Sequence, residues 1–333
     1  MSEGDKKPKQ PLRIAITTGD ADGIGTEVTA KALAKLKPLP GVQFYLWRSP
    51  VCPTKHLSLI DRAFKRLTVN TWPEALKAAP DSHKQLVDIS SNLPPPVWVE
   101  TSAQASHFGH IDAMVTAPLS KTAIASAGFK DMGHTGILKR VSRSKELFMG
   151  FIGDKFNVVL ATGHVPIEEI HSHLTPARLE RALRATDQLR QVLDKKSASK
   201  PIALLGLNPH AGEEGLIGST EEKVHRAVME AMREKGLKIE GPLVPDAAFF
   251  KENWSRYSVY LANYHDQGLI PFKMIHGQES GIHVTLGLPF VRTSVDHGTA
   301  KDIFGKNKAD ASSMTLAIEW AVRLCKSSAV LTF

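Results

Sequence analysis

Cysteine is scarce in this sequence: only Cys52 and Cys325 occur, with no CxxC pairing. That excludes a disulfide framework and a cysteine-rich metal site, and leaves both thiols as buried or incidental. No run of about 18 apolar residues is present, so no membrane-spanning helix is expected. Residues 1–10 lack the apolar middle of a signal peptide and read as a disordered polar tail, with a cytoplasmic location as the default. Basic residues are in excess, with a formal net charge of +8, but they are spread along stretches such as residues 31–37 and 178–190. Without one basic block and interleaved aromatics, that charge reads as solvated surface and not as a nucleic-acid face. Two signatures of chemistry are also missing. There is no GxGxxG with its downstream acid, which removes the dinucleotide fingerprint, and no HExxH, which removes a compact metal site on one helix. Nor is there an internal repeat, and the one biased stretch, residues 195–200, is short.

What is present points to an α/β enzyme-like chain. Its 333 residues exceed the size at which one core stops growing, about 250 to 300 residues, so two lobes are expected. With 42% hydrophobic and 23% charged residues there is material for both a core and a solvated surface. Residues 12–18, 42–46, 67–69, 110–117, 156–162, 202–207 and 258–264 read as strands, and 27–36 and 122–127 as helices. Strands alternating with helices predict α/β layers with largely parallel sheets.

Several polar clusters stand where such folds build sites, at the ends of strands. Residues 19–26, Gly19-Asp20-Ala21-Asp22-Gly23-Ile24-Gly25-Thr26, lead from a strand into a helix and suit either an anion-binding loop or a tight turn with Thr26 as N-cap. Gly133-His134-Thr135-Gly136 precedes another helix, so His134 and Thr135 stand at a helix start that fits a phosphate or carboxylate, or a simple Thr135 cap. Lys121 follows the end of the strand at 110–117 and is either a ligand contact or an exposed lysine. Three histidines, His164, His210 and His265, each follow a strand in a glycine- or proline-flanked turn. Each alone reads as a hydrogen-bonded histidine; the repetition favours a divalent metal site with open positions, assembled in three dimensions or across a subunit boundary. The densest polar stretch, residues 262–310, sets His265, Asp266, Lys273, His283, Arg292, Asp296 and His297 among apolar runs, a poor recipe for a core and a good one for holding an anion.

The segments GDADGIGTE, GHTG, GLNPHAGE, YHDQG and LGLPFVRTSVDHGTA, in this order, resemble the 4-hydroxythreonine-4-phosphate dehydrogenase family of vitamin B6 synthesis. Two of them also look like the glycine loop and the HG(S/T)A…DI.GK..A loop of the metal-dependent β-decarboxylating dehydrogenases. The resemblance covers the chain from about residue 12 onward. It implies a two-lobed isocitrate/isopropylmalate-dehydrogenase-like fold with its active site in the interdomain cleft. Residues 11–130 with 286–333 would form the cofactor-side lobe, and residues 131–285 the substrate, metal and dimerisation lobe. It places metal ligands (Zn, Mg, Co or Mn) on His164, His210 and His265, shared between the subunits of a homodimer. Substrate contacts fall on His134, Thr135, Lys273 and Arg292, with His283 where the family has asparagine. Cofactor contacts, to NAD with NADP left open, fall on Gly19, Asp20, Gly23, Gly25, His297, Gly298, Thr299 and Ala300. Asp246, Asp266 and Lys273 are the candidate catalytic groups, the two aspartates to orient histidines or relay a proton. The implied reaction is NAD-dependent oxidation of 4-phosphooxy-L-threonine followed by decarboxylation. A paralogue for threonate or erythronate 4-phosphate, or a non-catalytic phosphometabolite-binding protein, are the alternatives. Ala21, Asp22, Thr26, Ala117, Gly136 and His283 depart from the family pattern and bear on which substrate is used.

Overall fold

The computed structural model describes residues 10–36, 39–277 and 279–327; of the expected tail at 1–10, all but Gln10 lies outside the described residues. Two compact units emerge, one of residues 10–143 with 290–326, the other holding residues 144–289. These boundaries fall later in the chain than the expected 130/131 and 285/286. Helix His134–Ser142 packs on helix Pro95–His107, and Arg140 ties it to Glu100 and Asp131 at 2.5 and 2.9 Å. His134 and Thr135 therefore belong to the first unit, not to the lobe expected to hold them.

Strands are numbered along the whole chain. The first unit contains β1 (Leu12–Thr17), β2 (Val42–Arg48), β3 (Lys65–Val69), β4 (Gln85–Ser90), β5 (Ala113–Thr116) and β12 (Val291–Ser294). They lie in the order β3-β4-β2-β1-β5-β12, all pairs parallel. Parallel neighbours need crossovers, and the helices between them cover the sheet. Trp47 stacks on Trp72 and Trp98 at 5.7 and 6.3 Å. Helix Ser312–Lys326 buries Met314, Ala317, Ile318 and Ala321 and packs on β12, β5 and β1. Register aligns Thr17, Thr116 and Ser294, so the carboxyl ends of β1, β5 and β12 finish at one level.

The second unit contains β6 (Phe148–Gly153), β7 (Val158–Leu160), β8 (Ile202–Leu205), β9 (Ile239–Leu243), β10 (Val259–Ala262) and β11 (Gly281–Leu286). Their order is β11-β6-β7-β10-β8-β9. Only β6 runs against its neighbours among these described strands; the other pairs are parallel. Phe156, Tyr260 and Phe272 centre its core. The carboxyl ends of β7, β10 and β8 lie side by side, with Thr162 N donating to Asn263 O at 3.1 Å.

Both helix caps expected from threonine are absent. Helix Gly25–Lys35 starts one residue before Thr26 and has Ile24 at its N-cap, and helix His134–Ser142 starts one residue before Thr135 after Gly133; neither has a side-chain cap. Each threonine thus sits inside its helix, where its hydroxyl cannot reach the first free N–H groups.

Candidate active site

In the first unit the ends of β5 and β12 line a pocket of about 310 Å³, with Thr116, Pro118, Ser120, His134, Arg292 and His297 among its walls. Arg292 rises from the middle of β12, is 3% exposed, and donates from Nη2 to Thr116 Oγ1 at 2.6 Å. Burial pulls its guanidinium well below the ordinary arginine range, down to about 9; it remains protonated at neutral pH but carries a desolvation penalty that an incoming anion would relieve. His134 opens its helix behind Gly133, whose φ of 94° only glycine adopts easily. Its Nε2 is buried with no hydrogen bond among the described residues. Burial, and then the charge of Arg292, hold this imidazole well below its ordinary 6.5, so it is neutral at physiological pH and does not repel the guanidinium. A desolvated cation, an orphaned ring nitrogen and a helix start together suit a phosphate or carboxylate. Thr135 is exposed on the first turn of that helix, and Gly136 lies against Asp131, whose Cβ would be 3.0 Å from an added side chain.

The two loops expected to hold a dinucleotide meet beside this pocket, also within the first unit. Asp20 N donates to Pro118 O at 3.1 Å, and its carboxylate accepts from Ser120 N at 3.0 Å. At Gly19, φ is 70° and an added Cβ would collide with the Pro118 carbonyl oxygen. Gly19 and Asp20 thus dock their loop on the end of β5, which gives their conformation a packing reason of its own. Gly23 and Ile24 face Thr299, with Ile24 N donating to Thr299 O at 3.0 Å. Lys301 pairs with Asp22 at 2.7 Å, and Ala300 turns left-handed at φ 42° ahead of the short turn Lys301–Ile303. His297 Nδ1 donates to Gly298 O at 3.0 Å, leaving a buried Nε2 with no hydrogen bond among the described residues. Gly298 differs from Gly19: an added Cβ would meet no atom within 4 Å. The space before it is open to close approach by a ligand.

The second unit carries the histidines. His164 and His265 come together, ring centroids 5.3 Å apart and tilted by 40°. His265 Nδ1 bonds Asp266 Oδ1 at 2.7 Å; donation to a carboxylate from Nδ1 leaves the Nε2 lone pair available to a cation. His210 is exposed in the turn Pro209–Gly215, where five successive residues from His210 to Glu214 have positive φ. No group of three or more His, Cys, Asp or Glu able to hold a metal is found among the described residues; within one chain His210 does not join the other two. Helix Pro245–Ala248, with exposed Asp246, packs on the His210 turn. Lys273 is exposed on helix His265–His276; of the expected substrate contacts His134, Thr135, Lys273 and Arg292, it alone belongs to the second unit. His283, 7% exposed on β11, packs on the Phe151 ring at 5.2 Å. Thr116, Ser120 and Ser294 line the first-unit pocket without having been singled out in the sequence, whereas Lys121, which had been, is exposed beyond it. For Thr116 and Ser120 the signal was the strand end at Pro118; Ser294 ends β12, which carried no such signal.

Comparison with known proteins identifies the family. Residues 97–321 match the family model described as pyridoxal phosphate biosynthetic protein PdxA. A 4-hydroxythreonine-4-phosphate dehydrogenase from Sulfurihydrogenibium is 36% identical, covering 94% of this chain and 98% of the relative. A D-threonate 4-phosphate dehydrogenase from Pectobacterium atrosepticum is 33% identical, covering 93% and 98%. The crystal structure of a 4-hydroxythreonine-4-phosphate dehydrogenase from Burkholderia phymatum superposes with a TM-score of 0.75 at 30% identity, covering 94% and 98%. A β-decarboxylating dehydrogenase from Thermococcus kodakarensis shares the fold, with a TM-score of 0.53 at 15% identity. With its α/β architecture, its motifs in order and relatives matched over nearly their whole length, the chain belongs to the pyridoxal phosphate biosynthetic protein PdxA family.

Proposed function

We propose that this chain is an NAD-dependent dehydrogenase for a four-carbon, 4-phosphorylated hydroxy acid. The first substrate is 4-phosphooxy-L-threonine, converted to 2-amino-3-oxo-4-phosphooxybutanoate and then, by decarboxylation, to 3-amino-2-oxopropyl phosphate for vitamin B6 synthesis. The observation that carries this reading is the first-unit pocket, where buried Arg292 and neutral His134 converge. In it Arg292 gives the phosphate a two-pronged charged contact and His134 a hydrogen bond at a helix start. Gly298 and its neighbours receive the dinucleotide, for which open space before the glycine is the supporting fact. The imidazoles of His164, His210 and His265 suit a divalent cation, completed between two copies of the chain, with Asp266 orienting His265. Bound NAD supplies the hydride acceptor that no side chain provides, and a bound cation the Lewis acid that lowers the pKa of a hydroxyl. In this reading Asp246 and Asp266 orient histidines or relay the proton, Lys273 is a further catalytic and substrate-binding group, and the location is cytoplasmic.

A second substrate, D-threonate 4-phosphate, is favoured by the relative of that name and by His283 standing where the family has asparagine. The deciding assay measures NADH formation from a panel of four-carbon acid phosphates, with and without chelator. The reading expects turnover of one or both phosphates, lost on chelation and restored by Zn, Co, Mg or Mn. Absence of turnover on the whole panel in metal-replete protein would leave a binding protein in its place.

A further inference from the structure

The turn that presents His210 is strained, and the second unit contains a buried device that holds it. Left-handed backbone is unfavourable for a non-glycine residue, and His210, Ala211, Glu213 and Glu214 all adopt it at φ between 45° and 55°. Such a run persists only where its surroundings over-determine it. The surroundings converge on Glu221, which is 0% exposed. Its Oε1 accepts from both Leu207 N and Asn208 N at 2.7 Å, and its Oε2 from Asn208 Nδ2 at 2.9 Å. Burial alone would push this carboxyl up, yet the bonds from Asn208 leave it below the ordinary carboxylate range, so it stands as an anion clamping the residues just before His210.

Glu221 opens a π-helical turn, Glu221–Arg226, a widening of the helix common at functional sites. One turn on, buried His225 lies beside both Glu221 and Asn263. Asn263 directly precedes the Tyr264-His265 pair and donates from Nδ2 to Leu205 O at 2.9 Å. Gln267 closes the circuit, accepting from Asn263 N at 2.7 Å and donating to Gly206 O at 2.7 Å. Thr162 Oγ1 donates to Asn263 O at 2.7 Å. One buried polar network thus joins the ends of β7, β8 and β10, whose following loops bear His164, His210 and His265. None of these residues is itself a candidate ligand.

We propose that Glu221 is a positioning residue, whose carboxylate holds the left-handed turn and thereby fixes His210 for ligation, with Asn263 and Gln267 coupling that turn to the His265 end. The inference rests on the metal reading given above for the three histidines. Its test uses the full chain as wild type, Glu221→Ala, Glu221→Gln and His210→Ala, with zinc alone as the probe. Amide exchange is followed in metal-free protein and zinc affinity by calorimetry. Glu221→Ala should speed exchange across residues 207–212 at least tenfold while β1 is unchanged, and should weaken zinc about 10- to 100-fold, the range for groups that orient a ligand from behind. Glu221→Gln, which keeps one acceptor oxygen for Leu207 and Asn208, should recover part of both and serves if the alanine variant does not fold. Unchanged exchange, or unchanged zinc affinity in Glu221→Ala while His210→Ala is weakened, overturns the inference alone. His210→Ala binding zinc as tightly as wild type overturns the metal reading and the inference with it.

Discussion

The two units solve the problem of presenting polar groups in opposite ways. In the first, Arg292 is sunk in a strand, stripped of water and bonded to Thr116, and the walls of its pocket all come from that one unit. In the second, His164 and His210 are exposed and His265 half-exposed, and only two of the three rings come together among the described residues. There the burial is one layer back, in Glu221, His225 and Asn263. The contrast is physical. A guanidinium keeps its charge when desolvated and can be preorganised by burial, whereas a ligating imidazole must keep a lone pair accessible and is preorganised by what grips its backbone and far nitrogen.

Breaking each side of this contrast should give effects of different size. His210→Ala removes one of the three proposed ligands and should lower zinc content and turnover by roughly a hundredfold or more, beyond the 10- to 100-fold typical of supporting groups; metal analysis beside a rate measurement checks it. Gly298→Leu fills the open space by the pocket and should raise the KM for NAD about tenfold while moving the KM for the acid phosphate far less. Equal shifts in both would mean the loop is structural. Thr116→Val takes away the hydroxyl bonded to Arg292 and should cost about 1 kcal/mol, roughly fivefold in phosphate-substrate affinity, seen by titration. The smallest effect concerns pH. Because the His134 pKa is held well below 6.5, the ring gains no proton above that value and adds no charge to the pocket, while Arg292 at about 9 stays protonated. Inhibition by a phosphate analogue should therefore be flat from about pH 7 to 8, following only the phosphate's own second ionisation near 6. A histidine-like step in that window would show that His134 titrates.

How much of this was legible in the sequence depended on whether function had disturbed the pattern. β1, β2, β8 and β10 are apolar runs ending at turns, and all were anticipated. β12 was not, although all four of its residues are buried, because Arg292, Thr293 and Ser294 replace the apolar side chains that advertise a strand. Glycines 150 and 153 hid β6, and the Gly241-Pro242 pair hid β9. The three histidines and the pair His134 and Arg292 could be found because imidazoles and cations among apolar runs demand an explanation. The left-handed turn could not, since alanine and glutamate give no sign of positive φ, and Glu221 reads as one more acid on an exposed helix until its bonds to Leu207 and Asn208 are seen. Asp20 and Gly19 were anticipated for their chemistry, and their conformation also answers to Pro118.

The central claim, that the phosphate of a hydroxy-acid substrate is read by Arg292, is tested most directly by comparing kcat/KM for a phosphorylated substrate and its phosphate-free analogue in wild type and Arg292→Lys. Lysine keeps the charge but loses the planar two-pronged contact. The account predicts a loss of about 1.5 to 3 kcal/mol in kcat/KM for the phosphorylated substrate and almost none for the analogue. An equal loss on both would contradict it, making Arg292 a structural residue and moving the phosphate elsewhere.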